Sequence, residues 1–279
     1  MKTGLVLEGG ALRAVFSSGV CDALLDGGVM TDYMIGVSAG IAYGVSYISR
    51  QPRRNLEVVT TYVPDRRYMG MRNLIDPHNK SYFGLKFAYD TIPNELIPFD
   101  YDAFEAYPGQ VETAVTNLNT GKADYYPVPR RDKEALLIQA SCAMPLLFPI
   151  YWIQNTPYLD GGIPWERALD QGCDRVLVVL TKTRDFVRKP DKMMKLVRKE
   201  YKDYPAFVET MEHRAEIYNK NRAQLFELER QGKVLVIAPE STLGVSRTER
   251  DTKKLRMLWA AGYQAAVDRM EEIREYFAE

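Results

Sequence analysis

The sequence predicts an α/β protein with a mainly parallel central sheet and a helical elaboration at its C-terminal end. In the first fifty residues, the order of strand, glycine-containing loop and helix occurs twice, which is typical of parallel sheets. Short apolar, β-branched runs continue to residue 181, and the chain then becomes charged and helical in pattern. We expect one domain, because a late apolar strand can join the same sheet.

The elements of the first part are short and are bounded by glycines. The apolar and turn patterns predict a strand at Leu5–Leu7, a helix at Ala11–Leu25, a strand at Tyr33–Val37 and a helix at Ala39–Ser49. The segment from Thr61 to Tyr107 is rich in aromatic residues and methionine. Four prolines interrupt it and Pro108 follows it, so we predict irregular structure there.

The later elements alternate in the same way up to the charged region. We predict a strand at Val111–Val115, a helix at about Lys133–Ala143, two short strands at Ile150–Ile153 and Pro157–Leu159, and a strand at Arg175–Thr181. Beyond it we predict helices within Arg188–Arg230, a strand at Lys233–Ala238 and a long amphipathic helix at Thr248–Phe277.

The composition of the 279 residues excludes several classes of function. Basic and acidic residues number 37 each, so the basic surplus of a nucleic-acid-binding domain is missing. Three scattered cysteines without a C-x-x-C pair argue against a disulfide framework or a zinc site. The start lacks a secretory signal pattern and no apolar run is long enough to span a bilayer, which predicts a cytoplasmic protein. We expect no metal and no organic cofactor.

The first candidate site is G-V-S-A-G, from Gly36 to Gly40. This G-x-S-x-G pattern is typical of a nucleophile elbow, in which a serine stands on a sharp turn between strand and helix. The helix dipole would then favour a developing alkoxide on Ser38. The alternative is a helix-capping serine after a glycine turn, and the pattern by itself leaves both open.

The second candidate site is the loop E-G-G-A-L-R, from Glu8 to Arg13. Adjacent glycines before a helix leave backbone N–H groups free to bind an anion, such as the oxyanion of acyl transfer. A structural turn is the simpler alternative. Dinucleotide binding is disfavoured, because the spacing is not G-x-G-x-x-G.

The third candidate is Asp160, in D-G-G at residues 160–162, although an isolated Asp-Gly is more often only a turn. The chain has two histidines: His78 in a polar loop and His213 in a charged helical stretch. The order Ser38, Asp160, His213 is that of an α/β-hydrolase triad. Only two strands precede Ser38, however, so we expect His213 to be a solvated helix residue.

The three sites together resemble the patatin-like phospholipase family, whose members carry a glycine-rich loop with a basic residue, then G-x-S-x-G, then D-G-G or D-G-A. The blocks N-L-N-T-G at 117–121 and A-S-C-A-M-P-L-L-F-P at 140–149 look similar as well, so the resemblance covers roughly residues 1–184. It implies a three-layer α/β/α core at residues 1–185 and a helical extension with one strand at 186–279.

The resemblance also implies a catalytic dyad without histidine. Ser38 would be the nucleophile and Asp160 the base, while backbone N–H groups of Gly9, Gly10 and Ala11 would form the oxyanion hole. Arg13 would help to fix that loop. The family's usual third glycine is Ala11 here, and the glycine after the arginine is Ala14. Alanine still donates an N–H, but it tolerates a positive φ poorly.

The implied activity is hydrolysis of lipid acyl esters through an acyl-serine intermediate. Acyl transfer to another acceptor, or lipid binding by a degraded site, stay open as alternatives. The aromatic middle segment suits an acyl-chain pocket or lid as well as ordinary packing. Seven basic residues in Arg188–Lys202 suit peripheral contact with anionic lipid, although a solvated helical face explains them more simply. The sequence leaves the oligomeric state undefined.

Overall fold

The computed structural model describes residues 1–161 and 165–278, which form a mixed sheet flanked by helices. The strands are β1 (Thr3–Leu7), β2 (Tyr33–Gly36), β3 (Gln110–Asn117), β4 (Ala123–Pro127), β5 (Tyr151–Ile153), β6 (Thr156–Asp160), β7 (Arg175–Val179) and β8 (Val234–Ile237). Their order in the sheet is β5-β6-β3-β2-β1-β7-β8, with β4 paired to β3. Strands β3, β2, β1, β7 and β8 are parallel neighbours, whereas β4, β5 and β6 join by antiparallel pairing.

Helices cover both faces of this sheet. A 3-10 turn at Ala11–Ala14 precedes the first α-helix, and Phe87–Leu96 is π-helical. The α-helices are α1 (Val15–Asp26), α2 (Ala39–Ile48), α3 (Arg54–Tyr62), α4 (Met71–Ile75), α5 (Tyr101–Ala106), α6 (Leu136–Cys142), α7 (Trp165–Asp170), α8 (Met194–Glu200), α9 (Pro205–Arg230), α10 (Thr252–Val267) and α11 (Met270–Ala278).

Alternation along the parallel strands creates the two apolar layers. Leu5 and Leu7 of β1 belong to one buried cluster with residues of α1, α2 and α10. Val6, between them, belongs to another buried cluster with Trp165 of α7 and Leu225 of α9. Successive side chains of a strand point to opposite faces, so both layers depend on the same continuous apolar runs. The predicted α/β/α arrangement is confirmed.

The C-terminal segment packs tightly on this core. Strand β8 pairs with β7 in parallel, which confirms that the late strand joins the same sheet. Helices α1 and α10 approach so closely that a Cβ on Gly262 would stand 2.0 Å from the Phe16 carbonyl oxygen. A Cβ on Gly19 would stand 2.1 Å from the carbonyl oxygen of Trp259. Only glycine allows these two backbones to touch.

Several predicted boundaries were wrong for identifiable reasons. The segment 61–107 is not irregular throughout, because it contains α4, α5 and the π-helical turn around Pro93. The wider π-helical backbone accommodates a proline that interrupted the α-helical pattern. The predicted helix Thr248–Phe277 is two helices, and between them Arg269 donates a hydrogen bond to Val236 O in β8. Strand β4 and helix α7 were missed, because neither has a long apolar pattern.

The order of the strands creates a crevice beside β1. The chain proceeds from β1 through β2 to β3 on one side, and β7 and β8 are later added on the other side. Helices α1 and α2 cover one face, whereas α7 and α9 cover the opposite face. Loops after β1 and β7 therefore diverge at the carboxyl edge of the sheet, where open α/β sheets bind ligands.

Candidate functional site

Ser38 stands at the carboxyl end of β2, immediately before α2. Its backbone has φ 55° and ψ −132°, a conformation that costs energy for any residue except glycine. Its surroundings leave no room for larger neighbours, since a Cβ on Gly40 would lie 2.4 Å from Leu7 O. A Cβ on Gly36 would lie 2.5 Å from Ile41 N. The side chain of Ser38 makes no N-cap hydrogen bond, so the capping alternative is wrong.

A buried hydroxyl network holds this turn in place. The Ser38 N–H donates to Ser141 Oγ at 2.9 Å, and Ser141 Oγ donates to Ala114 O at 2.8 Å. Thr113 Oγ1 lies 2.9 Å from Ser141 Oγ and 2.8 Å from Gly36 O. Ser141 belongs to the block at 140–149 that looked similar to the family, but no local pattern predicted its contact with Ser38.

The loop from Glu8 to Arg13, called the glycine loop below, lies beside Ser38. A Cβ on Gly9 would stand 2.8 Å from the Cβ of Ser38, so only glycine fits there. Within the described chain, the N–H groups of Gly9, Gly10 and Ala11 have no hydrogen-bond acceptor, and neither has that of Ala39 after the serine. Ala39 was not predicted as an oxyanion donor, although the residue after the nucleophile has this role in other serine elbows.

Ala11 carries the strain that the sequence suggested. Its φ is 50°, in the left-handed region, whereas Gly10 has an extended φ of 175°. A left-handed alanine costs about 1–2 kcal/mol relative to its ordinary conformations. The loop therefore keeps its shape in spite of alanine at position 11, and the N–H of that alanine stays free of protein acceptors in the described residues.

Contacts from distant segments hold the glycine loop. Glu8 is buried, and its carboxylate accepts hydrogen bonds from the Thr181 N–H at 2.5 Å and from Tyr218 OH at 2.6 Å. Thr181 Oγ1 lies 2.8 Å from Gly9 O and 3.0 Å from the Glu8 carboxylate, and its single proton serves one of these acceptors at a time. The Arg13 backbone N–H donates to Gly10 O, and its guanidinium Nε is buried without a hydrogen-bond partner among the described residues, so the fixing role of this side chain stays a prediction.

Asp160 ends β6, beside the central strand β3. Its N–H donates to Ala143 O at 2.9 Å, and its carbonyl accepts from Thr116 Oγ1 at 2.7 Å. Burial raises the pKa of the Asp160 carboxyl to about 6, against the opposing positive charges of Arg214, Arg247 and Arg188. The carboxylate is therefore a stronger base than an ordinary aspartate. Gly162, the last residue of the predicted D-G-G motif, lies outside the described residues.

Ser38 and Asp160 converge on the same place. A Cβ on Gly161 would stand 3.0 Å from a methyl group of Val37, the residue before the serine. The pKa of the Cys142 thiol is influenced by both the Asp160 carboxylate and the Ser38 side chain, so the thiol lies near both. No hydrogen bond joins the Ser38 hydroxyl to the Asp160 carboxylate in the described part of the chain. Catalytic hydrogen bonds often tighten only when substrate binds.

An apolar cavity of about 160 Å³ opens beside Ser38. Engineered cavities of roughly 150 Å³ admit benzene, so this volume accepts an apolar group of about six carbons. Much of its lining comes from the aromatic segment between residues 61 and 107, including Tyr68, Phe83, Tyr89, Ile92, Phe99 and Phe104.

His213 is exposed on α9, with its Nδ1 3.6 Å from a Glu216 carboxylate oxygen. This placement agrees with a solvated helix residue. His78 lies in an exposed turn, where its backbone N–H donates to Asp76. The structure therefore brings Ser38, Asp160 and the glycine loop together and leaves His213 in solvent.

A family model described as patatin-like phospholipase matches residues 5–169, and the chain belongs to this family. A second model, described as a domain of unknown function (DUF6363), matches residues 204–278. The resemblance inferred from the three motifs is thereby confirmed.

Two similar proteins extend the comparison. Uncharacterized protein YjjU of Escherichia coli (strain K12) is 28% identical over 201 residues, which are 64% of this chain and 52% of YjjU. This chain therefore spans about half the length of that relative. The crystal structure of VipD from Legionella pneumophila aligns with a TM-score of 0.46 and 16% identity, covering 97% of this chain and 67% of VipD. In the described residues, no helix has the length and hydropathy required to cross a membrane.

Proposed function

We propose that the protein is a serine acyl hydrolase that cleaves lipid acyl esters through Ser38 and Asp160. The observation that carries the proposal is the strained Ser38 turn, which lies beside a loop whose N–H groups at Gly9, Gly10 and Ala11 have no acceptor among the described residues. An unpaired N–H aimed at an oxyanion lowers a reaction barrier by about 3–4 kcal/mol. Nothing in the fold of a simple structural turn requires this combination.

In the proposed reaction, Ser38 Oγ attacks the ester carbonyl carbon while its proton passes to the Asp160 carboxylate. The negative charge on the carbonyl oxygen is stabilised by the N–H groups of Gly9, Gly10 and Ala11. The C–O ester bond then breaks, and the leaving alkoxide takes the proton from Asp160. Water attacks the acyl-Ser38 ester in the second half-reaction, releases the carboxylic acid and restores the serine.

The Asp160 pKa of about 6 supports its proposed role as the base. An ordinary aspartate, with a pKa near 4, is a weak acceptor for a serine proton, and a pKa closer to the working pH improves the match. Burial thus supplies part of what a histidine supplies in a triad. The apolar cavity beside Ser38 would hold the acyl chain, and we place the boundary of the catalytic core at residues 185 and 186.

Labelling with a fluorophosphonate probe tests the nucleophile. We expect wild type to be labelled on Ser38 and to hydrolyse an acyl ester, whereas Ser38→Ala does neither while keeping its far-UV circular dichroism. Ser241→Ala, at an exposed serine, is the matched control and should be labelled like wild type. Unlabelled wild type would favour a lipid-binding protein, and product analysis with added alcohol would separate hydrolysis from acyl transfer.

A further inference from the structure

Five basic side chains near the site are electrostatically coupled to one another or to Asp160. The basic cluster consists of Arg13, Lys182, Arg188, Arg214 and Arg247. They come from the glycine loop, the loop after β7, the segment before α8, helix α9 and the loop before α10. Four of the five lie beyond the part of the chain that the patatin-like model matches.

The members of the cluster are electrostatically coupled to one another. The charge of Arg247 acts on Arg13, Lys182, Arg188 and Asp160, so it stands near the centre. Its carbonyl oxygen also accepts a hydrogen bond from Leu12 N in the glycine loop at 3.5 Å. The cluster therefore adjoins the loop that faces Ser38, at the crevice between β1 and β7.

None of the five side chains forms an ion pair in the described residues. Neighbouring arginines behave differently, since Arg184 pairs with Glu229 and Arg198 pairs with Glu212. Glu8 and Asp160 are carboxylates whose charges act on members of the cluster, and Glu8 already accepts hydrogen bonds from Thr181 N–H and Tyr218 OH. Arg13, Lys182, Arg188 and Arg214 are half-buried, whereas Arg247 is exposed. Half-buried like charges without counterions are costly, so the cluster is suited to bind an anion.

Burial and neighbouring positive charges lower the pKa values of two members of the cluster. Burial, together with the charges of Arg13 and other arginines, lowers the pKa of Lys182 to about 8. Burial and the charges of Arg214 and Arg247 lower the pKa of Arg188 to about 10. A bound anion would reverse both effects, because it stabilises the charged forms.

We propose that the basic cluster binds a phosphomonoester dianion, carried by the lipid headgroup while the acyl chain occupies the apolar cavity. None of the five residues lines that cavity, whereas Ser38 does, so the serine stands between an apolar and a cationic region. A dianion matches the excess of positive charge better than a zwitterionic headgroup, whose own cation would be repelled. This inference rests on the proposed hydrolase function and deepens it.

The decisive experiment compares 1-acylglycerol 3-phosphate with the uncharged 1-acylglycerol of the same chain length, in the same neutral detergent micelles. We expect wild type to have the higher kcat/KM for the phosphate-bearing ester. Arg214→Gln and Arg247→Gln should each lower this preference by roughly tenfold or more, through a higher KM, because each removes a charge-assisted hydrogen bond. Lys220→Gln on α9 and Arg256→Gln on α10, both exposed and outside the cluster, should keep the wild-type preference.

The melting temperature Tm distinguishes an anion-binding role of the basic cluster from a purely structural role. The charged form of Arg188 is disfavoured by burial and by Arg214 and Arg247, so Arg188→Gln should raise Tm in phosphate-free buffer while it weakens the preference. Equal kcat/KM for both esters in wild type, or equal losses in cluster and control variants, would overturn the inference and leave the hydrolase proposal standing.

Binding separates this inference from the proposed function. Ser38→Ala protein should bind phosphatidylcholine vesicles that contain phosphatidic acid, and bind pure phosphatidylcholine vesicles less, with Arg247→Gln abolishing the difference. If wild type shows no hydrolytic activity but the same preference for vesicles with phosphatidic acid, the anion site is supported and the hydrolase proposal is rejected. Inorganic phosphate is the second probe: stabilisation by phosphate without any vesicle preference would assign the cluster to a soluble anion and reject the headgroup.

Discussion

Asp160→Asn should stabilise the protein at neutral pH, although it should abolish the proposed catalysis. The carboxyl of Asp160 has its pKa raised from 3.8 to about 6 by burial, so the folded state binds the proton more tightly than the unfolded state does. The contribution of this tighter proton binding to the unfolding free energy is complete below about pH 4 and is lost as the pH rises through about 6. The difference in pKa corresponds to about 3 kcal/mol of unfolding free energy.

Asparagine stays neutral at every pH, so the Asp160→Asn variant does not lose this stability as the pH rises. We expect Asp160→Asn and wild type to have similar unfolding free energies near pH 4 and to differ by about 3 kcal/mol at pH 7 and above. Urea denaturation followed by circular dichroism, at several pH values between 4 and 8, measures this difference. Activity should depend on deprotonation of the Asp160 carboxyl, so kcat/KM of wild type should rise about tenfold per pH unit up to about pH 6.

Asp32→Asn is a control for which we expect a change in unfolding free energy of the opposite sign. Hydrogen bonds from Thr3 lower the pKa of the Asp32 carboxyl, so the folded state favours its charged form. This substitution should cost stability at neutral pH and cost less as the pH falls. If Asp160→Asn is less stable than wild type at pH 7, or if its advantage is independent of pH, the assignment of a buried, destabilised base is wrong.

Three further predictions concern the parts that hold the site. Gly262→Ala should destabilise by about 1–3 kcal/mol in urea denaturation, because its Cβ meets the backbone of α1, whereas helix propensity alone would stabilise by about 1 kcal/mol. Gly44→Ala is the control, since its Cβ meets only side-chain atoms, and a stabilised Gly262→Ala would contradict the packing. Tyr218→Phe should cost about 1.5–3 kcal/mol by removing the hydrogen bond to Glu8, and unchanged stability would refute this contact's importance. Ala11→Gly should keep activity and change the unfolding free energy by less than about 1 kcal/mol, because relief of strain offsets the added freedom of the unfolded chain. A large loss of activity would show that the alanine methyl itself is required.

Local patterns were sufficient where a few adjacent residues determine the structure. Glycines that must tolerate close backbones identified the turn at Ser38 and the glycine loop, and apolar runs identified β1, β2, β7 and β8. Strand β4 has no such signal, since its sequence A-D-Y-Y-P is polar and ends in proline, and pairing with β3 determines it. Tertiary contacts override local propensity in such segments.

The supporting contacts of the site could not be predicted in this way. Ser141 is 103 residues from Ser38, and Tyr218 is 210 residues from Glu8. Nothing in their local sequence distinguishes them from any other serine or tyrosine. The basic cluster was equally hidden, because its five members are spread over more than two hundred residues. The sequence suggested instead the basic run 188–202, of which only Arg188 belongs to the cluster.

The strain at Ala11 connects the C-terminal segment to the proposed chemistry. A left-handed alanine persists only where surrounding contacts determine the backbone more strongly than its own preference does. Two of the contacts that restrain the glycine loop come from the segment 204–278: Tyr218 binds Glu8, and the Arg247 carbonyl accepts the N–H of Leu12. A segment that carries no catalytic residue would thus keep the free N–H groups in position and supply two cations of the basic cluster. Loop geometry and headgroup recognition would then depend on the same packed helices, so weakening the contact between α1 and α10 should affect both together.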